Sequence, residues 1–264
     1  MGTLSPFMIS CLCLAGAIVV LSRPTEHTQG NNLKLIFHSR WDNFDERGPY
    51  MGGDVILPPG MDIRNGVIGD HLRWPNATLI YSLDRNFTSP ELAIISEAMQ
   101  EIEALTCIRF APRNQNETGY IFVARGGPGT GCYSFLGRLG TVQQLNLENP
   151  GCIRKGIVMH EFIHAIGFYH EQSREDRDDY VTINWSNIQP GTEFNFLKAT
   201  VTATFNVTYD YGSLMHYSKY SFATNTSIPT IIPIDPNAEI GQRERLSDKD
   251  IYKINAMYCP NYTT

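Results

Sequence analysis

Three of the chain's seven histidines fall within eleven residues, in the segment Gly156-Ile-Val-Met-His160-Glu161-Phe-Ile-His164-Ala-Ile-Gly167-Phe-Tyr-His170-Glu171. On a helix, residues four apart are rotated by about 40° and lie one turn above each other, so His160 and His164 present two imidazole nitrogens from one face. Glu161 flanks that pair. His170 points away from the face if the helix runs through it, so its participation requires the chain to turn back after His164. Gly167 permits the turn, because glycine takes the left-handed conformation that ends helices.

Three neutral imidazoles leave a zinc ion an open position for water, the arrangement of a catalytic site and not of a closed structural one. Glu161 is placed to take a proton from that water and to deliver it to a leaving amine, which makes peptide hydrolysis the expected reaction class. The short His-Glu-x-x-His pattern arises by accident in roughly one chain in a hundred of this composition. Requiring Gly167 and His170 as well lowers that to about one in fifty thousand.

The remaining composition is that of a globular protein. With 264 residues and 42% hydrophobic content, the chain has room for one sizeable core or two small ones. Its net charge of -6 comes from 27 acidic and 21 basic residues without a Lys/Arg cluster, which argues against a nucleic-acid partner. Residues 7–21 form an uncharged apolar stretch followed by Ser22, Arg23 and Pro24. That length suits a signal-peptide core, whereas a membrane span needs roughly 20 residues, so we expect a signal peptide over 1–22, secretion, and no membrane association once it is removed.

Cys11 and Cys13 fall inside the removed segment and leave Cys107, Cys132, Cys152 and Cys259, an even set suited to an oxidising compartment, with three pairings open. Seven Asn-x-Ser/Thr sequons, at Asn76, Asn86, Asn116, Asn184, Asn206, Asn225 and Asn261, offer glycosylation sites in a secreted chain.

Residues 23–64 lack any long apolar period and carry Gly52-Gly53 and Pro58-Pro59-Gly60, the texture of a linker or propeptide. After Arg64 the alternation over 78–83 fits a half-buried strand. A helix follows, with Ser89 as its cap, Pro90 in its first turn and Leu92, Ile95, Met99 and Ile102 along one face. Residues 108–111, 120–124 and 142–147 read as short strands, and the Gly-rich run 126–131 as a plain loop, since it lacks the Gly-Lys-Ser/Thr ending of a phosphate loop. A last helix begins at Ser247, which forms a capping-box pattern with Asp250 and buries Ile251, Ile254 and Tyr258. These elements predict an α+β enzyme with a cleft between two lobes.

With His-Glu-x-x-His-x-x-Gly-x-x-His in place, the chain resembles the metzincins, and two further segments resemble the astacin family in particular: His170-Glu171-Gln-Ser-Arg-Glu-Asp-Arg-Asp178, and the Met-turn Ser213-Leu-Met215-His-Tyr217. The resemblance covers roughly residues 65–264. It implies a zincin-like, two-lobed catalytic domain, the N-terminal lobe a twisted, mostly parallel sheet with two helices and the C-terminal lobe with few regular elements and a terminal helix. It implies one zinc ion on His160, His164 and His170, Tyr217 as a displaceable ligand that then donates to the oxyanion, Met215 as an apolar floor, and disulfides Cys107–Cys259 and Cys132–Cys152.

The resemblance also implies a latent form. Asp54 of Gly53-Asp54 is the candidate inhibitory ligand in a propeptide over 23–64, and an activating protease is expected to cut after Arg64. The new amino terminus at Asn65 would lie near Glu171, which also stands beside a metal ligand and can orient His170. Gly241-Gln242-Arg243 is similar to a segment of relatives in which an arginine favours an acidic residue just after the cut bond, so Arg243 is the specificity candidate. Tyr133, where many members have tryptophan, and the stretch Asn206-Val-Thr-Tyr-Asp210 depart from the family pattern. A monomer acting on extracellular protein or peptide substrates is expected, with substrate choice made in the cleft, since only Pro-Asn-Tyr-Thr-Thr follows Cys259.

Overall fold

A computed structural model describes residues 43–58, 70–199 and 204–259. The expected signal segment with Cys11 and Cys13, the cut site at Arg64–Asn65 and the sequon at Asn261 lie outside the described residues.

The main sheet has six strands, β1 (Val55–Ile56), β2 (Thr78–Leu83), β3 (Arg109–Pro112), β4 (Ile121–Gly126), β5 (Tyr133–Phe135) and β6 (Gln143–Glu148), in the spatial order β1-β5-β6-β4-β2-β3. Only the β5–β6 pair is antiparallel. Strands β4 and β6 are buried along most of their length, as expected where helices cover a parallel sheet. Pro112, which has no N–H to offer, lies at the end of the edge strand β3.

Helix α1 (Ser89–Leu105) buries Ile95, Ala98, Met99 and Ile102. Ile95 and Ile102 are almost fully enclosed and contribute about 2 kcal/mol each by removal of apolar surface from water. The cap is Thr88, one residue earlier than the sequence suggests: Glu91, three residues on, accepts the Thr88 N–H at 2.7 Å, and Ser89 is already helical. Helix α2 (Lys155–Ala165) is buried from Gly156 onward, and it joins α1, the sheet, Leu214, Met215 and Ile254 in one core.

The second lobe has a two-stranded antiparallel sheet, β7 (Val181–Ile183) with β8 (Ile231–Pro233), several 3₁₀ turns and helix α3 (Asp248–Tyr258). Ser247 caps α3, accepting the Asp250 N–H at 2.9 Å while its own N–H donates to Asp250 Oδ2 at 3.1 Å. Cys107 is joined to Cys259 and Cys132 to Cys152, the pairing that the family resemblance implies. The first bridge ties the start of β3 to the end of α3 across 152 positions. Among the described residues no helix is long and apolar enough to cross a membrane.

The observed architecture is the mixed, mostly parallel sheet with few helices expected from the sequence. Strand limits move by one residue at β3 and β6, and by one at the start and two at the end of β4. The short strands β1, β5, β7 and β8 carry no sequence pattern of their own, because two or three residues are too few to display a period.

Candidate metal centre

The core-packed α2 carries His160 and His164 on one face and ends in a Schellman motif. The Gly167 N–H donates to His164 O at 2.8 Å and the Phe168 N–H to Ile163 O at 3.1 Å, with Gly167 at φ +108°. The chain then doubles back and brings the His170 ring to 4.7 Å from that of His164, centroid to centroid.

His164 Nε2 is 3.0 Å and His170 Nε2 3.3 Å from His160 Nε2, and Asp54 Oδ2 approaches His160 Nε2 to 2.9 Å. One ligand atom from each of Asp54, His160, His164 and His170 lies within 4.8 Å of all the others, and all four residues are buried. The tautomers are set from behind. His160 Nδ1 donates to Leu214 O at 3.0 Å and His164 Nδ1 to Phe168 O at 2.7 Å, which leaves their Nε2 lone pairs facing the cluster. Burial lowers the pKa of His160, and it lowers that of His170 to about 3. Converging lone pairs and a carboxylate need a cation between them, and a donor set of imidazole nitrogen and carboxylate oxygen suits zinc.

Burial opposes ionisation of Asp54, but His170 and His164 outweigh it and hold the carboxyl well below its usual range. Gly52 makes its approach possible: at φ +66°, a Cβ there would stand 2.7 Å from the His170 ring. Val55 and Ile56 pair with Ser134 and Phe135, so this segment adds a parallel strand to the sheet edge beside the metal ligands.

Glu161 is fully enclosed, and neither carboxylate oxygen has a hydrogen-bond partner. Burial first, then the carboxylates of Asp54 and Asp45, push its pKa well above the usual range. Tyr217 is likewise buried with an unpartnered hydroxyl, its ring 4.7 Å from that of His170. Burial, reinforced by Asp54, keeps its phenol protonated and therefore a donor.

The Met-turn is tied to both sides. Asp250 accepts Ser213 Oγ at 2.6 Å and the Leu214 N–H at 2.8 Å, and Met215 O accepts the Glu171 N–H at 3.0 Å. Glu171 is the hub of a buried ion network, accepting from Lys253 Nζ at 2.7 Å, Arg174 Nη1 at 3.1 Å and the Asp210 N–H at 2.9 Å. The stretch that departs from the family pattern supplies part of this network, since Tyr209 Oη bonds His216 Nε2 at 2.6 Å and Asp210 accepts from Ser247. Tyr133 meets Tyr50 with ring centroids 4.5 Å apart.

Arg243 is not at the surface. Its side chain is 3% exposed and donates from Nη2 to Asp45 Oδ2 at 2.8 Å and from Nη1 to His216 O at 2.9 Å. Asp45, Glu46, Lys253, Asp210 and Asp250 were not singled out as site residues. Asp250 had a signal in its capping box, and the others have none short of the fold, because Glu171 or Arg243, which they meet in the site, is 39 to 198 positions away.

Residues 67–259 match the family model described as Astacin, a peptidase family. The chain is 45% identical over 203 residues to zinc metalloproteinase nas-13 of Caenorhabditis elegans, covering 76% of this chain and 44% of that protein. It thus spans less than half the length of that relative. It is 39% identical to the low choriolytic enzyme of Oryzias latipes, over 85% of this chain and 82% of the relative. Among solved structures it resembles high choriolytic enzyme 1, a hatching enzyme zinc-protease of Oryzias latipes, with a TM-score of 0.66, 43% identity, and coverage of 70% of this chain and 92% of that one. The zinc-suited histidine cluster on a helix broken at Gly167, the family model over residues 67–259 and the identity to these relatives together establish that the chain belongs to the astacin family of zinc metallopeptidases.

Proposed function

We propose that the chain is a secreted zinc endopeptidase that hydrolyses peptide bonds of extracellular proteins and is held latent by its own N-terminal segment. The observation that carries this reading is the convergence of three imidazoles and Asp54, with a buried, unpartnered Glu161 on the same helix. The relatives named choriolytic and hatching enzymes support an extracellular protein as substrate.

A bound zinc ion would be held by His160, His164 and His170, and would supply Lewis acidity toward the scissile carbonyl and toward water. Glu161 then acts as general base and passes the proton to the leaving amine nitrogen. The Tyr217 hydroxyl, free of other partners, donates to the oxyanion that develops on the substrate. Leu214 O and Phe168 O keep the imidazoles in the ligating tautomer. The segment that carries Asp54 covers the histidine cluster and excludes substrate until it is cut at Arg64 by another protease. Arg243, already holding carboxylates, is the proposed selector of an acidic residue after the cut bond.

Glu161→Ala in the cut protein is expected to abolish cleavage of denatured casein or gelatin while one zinc remains bound. A cut wild-type protein with full zinc and no cleavage of either substrate overturns the reading.

A further inference from the structure

Asp54 is not the only acidic residue that the N-terminal segment buries in the cleft. Asp45 and Glu46, nine and eight positions earlier, sit in the 3₁₀ turn Phe44–Arg47, and their side chains are 0% and 4% exposed. Both meet Arg243. The guanidinium donates to Asp45 Oδ2 from Nε at 2.9 Å and from Nη2 at 2.8 Å, and Nη2 reaches Glu46 Oε1 at 3.3 Å.

Glu46 is met by more than charge. The Ser218 N–H donates to Oε1 at 2.8 Å, Ser218 Oγ donates to Oε2 at 2.9 Å, and Ser221 Oγ donates to Oε2 as well. A backbone N–H, two hydroxyls and a guanidinium on one buried carboxylate are a built carboxylate pocket. All of these donors belong to the lobe that follows the metal helix, and none is a metal ligand.

We propose that Arg243, Ser218 and Ser221 form a carboxylate-binding pocket in which Glu46, with Asp45 on the same guanidinium, anchors the N-terminal segment independently of the Asp54 contact with the metal ligands. The proposal rests on the latent-enzyme reading above. Two anchors on one short segment make each an intramolecular partner of the other, so losing one leaves the segment at high local concentration over the cleft. Latency thus survives a vacancy at either anchor and ends when both are lost, as they are when the chain is cut and the segment departs. The freed pocket keeps its donors and accepts a carboxylate from outside.

The test uses the full, uncut chain with zinc, as wild type, Asp54→Ala, Asp45→Asn/Glu46→Gln, and the three substitutions combined. Amide hydrogen exchange over 43–56 and turnover of a fluorogenic peptide are both read, before and after chelation of zinc. Protection is expected to change less than threefold in Asp54→Ala, in Asp45→Asn/Glu46→Gln and in chelated wild type. It should fall at least tenfold in the combined variant and in chelated Asp45→Asn/Glu46→Gln, and the combined variant with zinc should turn over peptide uncut. All four chains yield the same polypeptide once cut at Arg64, so equal activity after cutting excludes a folding defect. Release of the wild-type segment by chelation alone, or no difference between Asp54→Ala and the combined variant, overturns the proposal. If the cut protein is inactive, the peptidase reading fails while the exchange comparison still decides the anchor.

Discussion

Lys253→Met tests whether the ion network behind the metal site holds it together. Lys253 Nζ stands 2.7 Å from Glu171 Oε2 and 3.7 Å from Asp250 Oδ1, and all three side chains are at most 8% exposed. At an effective dielectric of about 20, the 2.7 Å contact alone represents about 6 kcal/mol of attraction, most of it offset by desolvation. Methionine keeps the length of the aliphatic stem and removes the charge. Glu171 retains Arg174 and the Asp210 N–H, but Asp250 loses its cation, so the cost falls at the lower end of the range for breaking a buried pair, about 3 kcal/mol.

With a urea m-value of about 3 kcal/mol/M, the midpoint should drop by about 1 M. Glu171→Gln/Lys253→Met should be no less stable than Lys253→Met alone, because a neutral pair leaves no unmatched charge between them, giving a coupling of at least about 1 kcal/mol. Zinc affinity should weaken by about tenfold, since Glu171 ties the backbone after His170 to Met215. A midpoint shift under about 0.3 M, or strict additivity in the cycle, refutes the reasoning.

Two further outcomes follow from local structure. Glu91→Gln should cost about 1 kcal/mol at pH 7 by weakening the α1 cap. Arg125, chiefly through its hydrogen bonds, lowers the Glu91 pKa to about 2, so this stabilisation is present above about pH 4.5 and is lost as pH falls toward 2; thermal melts of wild type and variant should converge over that window. Gly167→Ala places a side chain at φ +108° and should cost about 1–3 kcal/mol, with zinc retention falling alongside stability because the same turn carries His170; unchanged zinc content at equilibrium dialysis would count against that link.

The histidine cluster was legible because its spacing states a geometry. A pair four apart fixes a helical face, and one glycine fixes where the helix must end, so His160, His164, Gly167 and His170 specify the site with no knowledge of the rest. Helices α1 and α3 were legible for a similar reason, each combining a cap with a stripe of apolar residues. Strand β1 was not, since two residues display no period and owe their conformation to β5.

Arg243 shows where such reading ends. In the sequence it follows Gly241 and Gln242 in a polar stretch, and an exposed cation is the ordinary outcome for such a residue. What buries it is a pair of carboxylates almost two hundred positions earlier, in a segment whose composition alone suggests a linker. A charge of that kind is enclosed only when opposite charge and hydrogen-bond donors or acceptors enclose it together. The burial of Arg243 is therefore a property of the chain with its N-terminal segment in place. Were the segment removed, water would replace two fixed carboxylates, and a guanidinium and two hydroxyls oriented toward an anion would stand beside the histidine cluster.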